Sequence, residues 1–400
     1  MPQAHYREIE GRSRGFYMLL VVLGALILAG LGAAWYMEHR GHHVTGMSNR
    51  IVWGAPHVFA VFLIVAASGA LNVASIASVF GRDLYKPLAR LSGLLALTLL
   101  AGGLSVLVLD LGRPDRLIVA MTNYNFKSIF AWNIFLYTGF FAVVALYLWT
   151  MFERRMNGYS RRAGLLAFAW RLVLTTGTGS IFGFLVAREP YNSALLAPLF
   201  IAMSLSFGLA VFVLVLMAAF RGSGRALGEA VLDRLRSLLV VFVASVLYFV
   251  AVHHLTNLYV ARQHEAERFI LLDGGVYTAL FWFGQVFVGG IVPLLLLLAP
   301  KMHRTRGTLA AAAVCVIAGG FAQLYVLIIG GQAYPQMMFP DKDVASSFFD
   351  GVVAEYTPSL PEIALGVGGT ALALALTMVA LKALAFLPLG MADGDVDPAP

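Results

Sequence analysis

Leu94-Leu95-Ala96-Leu97-Thr98-Leu99-Leu100-Ala101-Gly102-Gly103-Leu104-Ser105-Val106-Leu107-Val108-Leu109 runs without interruption into Asp110-Leu111-Gly112-Arg113-Pro114-Asp115-Arg116. An apolar run of this length, ended at once by a carboxylate, two guanidinium groups and a helix breaker, reads as a helix that crosses hydrocarbon and stops at water. A bilayer core about 30 Å thick takes about 20 apolar residues as helix. A charge near the bilayer centre costs on the order of 3 kcal/mol on insertion scales. Asp110 is therefore expected at a helix end, where an apolar cavity meets water. Such a place suits proton-coupled chemistry on an oily substrate.

The rest of the sequence repeats the pattern. Of 400 residues, 60% are hydrophobic and 12% charged, which leaves no charged surface for a separate soluble domain and implies an all-α, polytopic integral membrane protein. Ten apolar runs stand near 16–37, 53–80, 88–109, 128–152, 163–186, 194–220, 237–260, 276–299, 308–330 and 361–387. The first is too long for a signal peptide and lacks a small-residue cleavage site, so it reads as a retained anchor. The net charge of +7 does not point to nucleic acid, because the basic residues form short clusters between apolar runs rather than one stripe. They set topology instead: the amino-terminal tail and even-numbered connections carry 17 Lys and Arg against 9 in the odd-numbered ones, which places both termini in the cytoplasm. The expected organisation is a cytoplasmic tail 1–15, a transmembrane domain 16–387, an outer loop 331–360 whose Met and aromatic content marks it as a docking loop for a partner subunit, and a disordered cytoplasmic tail 388–400. The lone cysteine, Cys315, excludes a cysteine-ligated iron–sulfur cluster and an internal disulfide.

An internal repeat is also legible. Leu88-Ala89-Arg90-Leu91 before the third run echoes Leu232-Asp233-Arg234-Leu235 before the seventh, and the offset of 144 residues carries Asp110 onto His254. Phe130-Ala131-Trp132 has a looser counterpart in Leu280-Phe281-Trp282. Two parallel four-helix bundles, helices 2–5 (about 53–186) and 6–9 (about 194–330), with helices 1 and 10 outside, would account for this.

The candidate chemistry gathers on the outer side. His57 follows Pro56 in the first turn of the second run, and Ser68, Asn72 and Ser75 follow at spacings of 11, 4 and 3, returning to one helical face. Asp110 is either a structural carboxylate paired with Arg113 or Arg116 or a proton acceptor. The following connection carries Tyr124, Asn125, Lys127 and Ser128. His253 and His254 diverge by about 100° on a helix, so at most one is expected to point squarely inward. Arg171 is expected to snorkel to the cytoplasmic side.

Leu109-Asp110-Leu111-Gly112-Arg113-Pro114, Asn125-Phe126-Lys127-Ser128, His57 with Ser68-Gly69-Ala70, and Tyr356-Thr357-Pro358-Ser359-Leu360-Pro361-Glu362 together resemble the NrfD/PsrC-like family of quinone-reactive membrane subunits. The nearest branch has ten helices and includes the hydrogenase-2 membrane subunit and DsrP. The resemblance covers helices 2–10. It implies a quinone, menaquinone or ubiquinone, bound near the outer face by His57 and Asp110, with Arg113, Tyr124 and Asn125 as neighbours and His254 at a second site. It also implies a bacterial cytoplasmic membrane location, a ferredoxin-like iron–sulfur partner on the periplasmic side with further redox subunits, and a role in sulfur or hydrogen metabolism. The protein alone would be a subunit of the quinol oxidoreductase rather than the whole enzyme. Two rival readings are a b-type haem cytochrome, with His253 or His254 and His57 as ligands, and a secondary ion transporter.

Overall fold

The computed structural model describes residues 5–300, 304–335 and 351–393. Among them ten helices are long and apolar enough to cross a membrane: α1 (Arg14–Arg40), α2 (Ala55–Ser78), α3 (Asp83–Leu109), α4 (Ile129–Phe152), α5 (Arg154–Gly183), α6 (Leu196–Ser223), α7 (Glu229–Tyr259), α8 (Val276–Leu298), α9 (Arg306–Ala333) and α10 (Leu360–Ala383). The protein is thus an all-α polytopic membrane protein, with its ten spans at the places the apolar runs indicate. Some begin well before those runs. α7 starts at Glu229, and α3 and α5 open with 3-10 turns at Asp83 and Arg154, because each of these spans carries a charged first turn before its hydrocarbon stretch.

The packing closes two rings. α2 touches α3, α3 touches α4, α4 touches α5, and α5 returns to α2; α6, α7, α8 and α9 close in the same order. α10 lies on α2 and α3, and α1 lies on α10. In hydrocarbon the backbone must satisfy itself and helices associate by close packing, so small residues mark the seams. A Cβ at Gly69 of α2 would sit 1.6 Å from the Ser204 carbonyl oxygen of α6, and one at Gly208 would meet Gly69 itself. Gly30 of α1 abuts Gly368 of α10 in the same way.

α2 is interrupted at Leu71, between its segments Ala55–Ala70 and Asn72–Ser78. The cause is a side chain inserted into the helical ladder. The Ser92 hydroxyl of α3 accepts from the Ala74 N–H at 2.9 Å and donates to the Ala70 carbonyl at 2.6 Å, taking the place of the direct bond between them.

The segments that precede α1 and follow α10 meet on one face. β1 (Tyr6–Arg7) pairs antiparallel with β2 (Leu387–Pro388), and Arg225 donates to the carbonyls of Arg7, Glu8, Leu387 and Pro388. The tail is consequently not free from 388 onward as expected, since Met391 is buried and bonded to Ala226 and Gly228; 394–400 lie outside the described residues. Beyond α9, Ala354 N–H bonds to Ala333, and Arg50 donates to the carbonyls of Val352 and Val353. The described flanks of the 331–360 connection therefore fold back on the bundle. Its Met337, Met338, Phe339, Phe348 and Phe349 lie outside the described residues.

Gly69→Val is expected to split the seam between the rings, losing more than the ~1–3 kcal/mol of ordinary overpacking, as a lower unfolding temperature in detergent. Gly222→Val, with nothing within 4 Å of its Cβ position, should leave that temperature unchanged.

Candidate functional site

His57 and Asp110 meet on the face opposite the paired termini. Pro56 stands in the first turn of α2, where its missing N–H is no loss, and sets His57 beside the end of α3. There Asp110 caps the helix, its N–H bonded to the Val106 and Val108 carbonyls. Gly112, at φ 69°, turns the backbone away; a Cβ there would lie 3.1 Å from His42 Nε2, so the His42 ring closes this side. His57 Nδ1 stands 2.9 Å from Asp110 Oδ2, with the imidazole 22% and the carboxylate 1% exposed. The two are within ion-pair distance but poorly aligned. His57 Nδ1 and both Asp110 oxygens are buried without an aligned hydrogen-bond partner, a deficit of a kind that folded proteins rarely leave unfilled.

An aromatic wall stands against the pair. The Trp53 ring centroid lies 6.1 Å from that of His57, 5.9 Å from Phe130, 5.7 Å from Phe182 and 6.5 Å from Tyr191. Gln332 at the end of α9 holds this segment, accepting from the Val52 and Trp53 N–H groups and donating to the Trp53 carbonyl. Tyr191 is fully buried and donates to the Ile328 carbonyl at 2.6 Å; burial pushes its phenol well above the usual range. Tyr356 accepts from the Ala55 N–H at 2.6 Å and donates to Glu362 Oε1 at 2.7 Å. Glu362 Oε2 in turn accepts from Gly46 and Ser359. Burial, then the bond to the Glu362 carboxylate, raises the Tyr356 phenol far enough to keep it a neutral donor. This buried brace fixes the start of α2, and so His57, against the entry to α10.

The other candidates divide. Arg113 turns outward and pairs with Asp115 at 3.3 Å, both exposed, rather than with Asp110. Tyr124 stacks on Phe135 with centroids 4.4 Å apart, and exposed Asn125 accepts from the Lys127 N–H. Ser68, Asn72 and Ser75 are buried inside the first ring, as their spacing indicates. Arg171 does not snorkel. It is 2% exposed and donates to Asn72 Oδ1 at 2.8 Å, because α2 offers acceptors nearer than the headgroups.

His253 and His254 both have partners within the second ring, so the divergence of adjacent residues does not send either into lipid. His253 Nδ1 lies 3.2 Å from Ser193 Oγ, and His254 Nδ1 lies 2.6 Å from Glu267 Oε2. His57 pairs with Asp110 in the first ring instead. Glu267, Trp53 and Gln332 were not marked as functional by sequence. Glu267 lies 13 residues from His254 on a separate short helix, His264–Arg268, and only its being an acidic group near a predicted helix end could have flagged it.

The chain is thus a ten-helix membrane bundle with a half-buried histidine beside a buried carboxylate at one face. The protein belongs to the family described as Polysulphide reductase, NrfD, whose pattern matches residues 43–336. It is 30% identical over 389 residues, 96% of each protein, to the Hdr-like menaquinol oxidoreductase integral membrane subunit of Archaeoglobus fulgidus. To the C chain of polysulfide reductase from Wolinella succinogenes it is 26% identical over 309 residues, 72% of this protein and 96% of that one. To the menaquinone reductase integral membrane subunit of Nitratidesulfovibrio vulgaris it is 22% identical over 338 residues, covering 78% and 80%.

Tyr356→Phe leaves the Ala55 N–H and the buried Glu362 each short of a partner. Thermal unfolding in detergent should show a loss of about 1–3 kcal/mol.

Proposed function

We propose that the His57–Asp110 pair binds the headgroup of a membrane quinol and accepts its proton, while the electrons pass to a partner subunit on the same face. The observation that carries this is the buried, unaligned pair beside Trp53: a hydroquinone hydroxyl would supply the hydrogen bond that His57 and Asp110 lack. A proton taken by the imidazole is held by the carboxylate 2.9 Å away, the arrangement that general acid–base chemistry requires. Trp53, Phe130 and Phe182 offer an apolar edge to the ring.

The excess of Lys and Arg on the face bearing the termini supports a cytoplasmic placement of that face, with the site opening to the outer side of the cytoplasmic membrane. There a ferredoxin-like iron–sulfur subunit would dock, since the protein has one cysteine and no cluster ligands of its own. Relatives named for menaquinol and menaquinone favour menaquinone as the substrate, and the polysulfide reductase relative favours a sulfur-linked complex. The two closed rings support descent from a parallel repeat, with Arg113, Tyr124 and Asn125 as outer neighbours of the quinone entry.

His57→Ala and Asp110→Asn should each lower quinol-dependent electron transfer by about 100-fold or more, with the protein still inserted and extractable at wild-type yield. Wild-type quinol kinetics in both variants would remove the site.

A further inference from the structure

The second ring contains a series of polar groups that quinol binding at His57 leaves unused. Asn257 Nδ2 donates to Glu267 Oε1 at 2.7 Å and stands 3.3 Å from His253 Nε2. An amide nitrogen only donates, so His253 Nε2 accepts, the His253 proton sits on Nδ1, and Ser193 Oγ receives it. On the other side, His254 Nδ1–H donates to Glu267 Oε2. The His254 Nε2 lone pair is left without a hydrogen bond to any described residue. His253, His254 and Glu267 line one cavity together with Gln285, Gln323 and the apolar residues Phe281, Val250 and Leu327.

A smaller cavity adjoins it, sharing Val250, Gln285 and Gln323 with the first and reaching Ser206 and the glycines of α8 and α9. Gln285 and Gln323 are 8% and 5% exposed, and neither amide hydrogen-bonds to a described residue. Both line the two cavities, where water would reach their amides. The wall that presents Gln285 is π-helical over Leu280–Ile291, and a second π segment, Val326–Gly330, lines the first cavity opposite it. Such segments are rare and gather at functional sites.

We propose that the second ring holds a water-lined proton path whose proton-binding site is the His254–Glu267 pair. A proton carried by water in the cavity adds to His254 Nε2 and forms an N–H bond there. The pair then becomes an imidazolium held by the Glu267 carboxylate, and release is the reverse. No electron moves. The titratable groups on the cavity wall are His253, His254 and Glu267; Gln285 and Gln323 are neutral relays.

The test is pH-difference infrared spectroscopy on the full-length protein in detergent, between about pH 5 and 8, with no quinone added. The wild-type protein should show an imidazole change coupled to a carboxylate change. The imidazole component should be lost in His254→Gln and the carboxylate component in Glu267→Gln, while Glu267→Asp, which keeps the pair, should retain both. An unaltered spectrum in His254→Gln overturns the proposal. So does a folded Glu267→Asp protein as silent as Glu267→Gln, which would make the pair a structural tie between α7 and the His264–Arg268 helix. His57→Ala, which removes the quinol site, should keep the His254–Glu267 infrared change, so failure at His57 and failure here are read separately.

Discussion

The contact on which the rest of the structure depends is the backbone-to-backbone approach of α2 and α6 at Gly69, Ser204 and Gly208. Lipid tails are as apolar as Leu, so no hydrophobic drive holds two membrane helices together. Van der Waals contact must do so, and it is strongest where no side chain keeps the backbones apart. α2 is also the helix that carries His57 in its first turn. Its position at the seam means that the imidazole is aimed from the most tightly packed helix of the first ring, with little freedom to follow a mobile loop. The Ser92 hydroxyl lets α2 change its winding below that point without leaving a backbone group unsatisfied.

A single physical rule separates the polar residues that brace the fold from those available for chemistry. In hydrocarbon a polar group finds its partner in the protein or in trapped water. Tyr191, Tyr356, Glu362 and Gln332 have all found protein partners, and they set the geometry of the α2 entry. His57 Nδ1 and the Asp110 oxygens have no aligned partner, and Gln285 and Gln323 line the cavities of the second ring. One region of unpartnered groups and one polar cavity thus lie in two different rings, each beside a histidine and a carboxylate.

The fold was legible because the bilayer imposes a length on every span, and ten runs of that length could be read directly. Asp110 and His57 were legible for a related reason: both lie within a turn of a helix end, where depth follows from sequence. Depth is one coordinate, and direction is another. Arg113 shares the depth of Asp110 but turns to Asp115, and Arg171 stays inside because Asn72 happens to face it. Glu267 was hidden for a third reason. It sits on a short helix between spans, and apolar periodicity carries no information about where such a helix folds back. The π-helical winding of α8 was equally silent, since Leu280–Ile291 has an ordinary apolar composition.

The strand pair at the termini bears on how the protein is made. α1 precedes the other nine spans in sequence, most of its surface is exposed, and the helix it packs on is α10, which follows them. Until α10 arrives, the Gly30 surface has no Gly368 to meet, and Tyr6–Arg7 have no Leu387–Pro388 to pair with. α1 must therefore wait in the bilayer as a lone helix through the synthesis of the whole double ring. The pairing of α1 with α10 then comes after both rings are made, and a product ending before α10 would leave α1 without the helix it packs on.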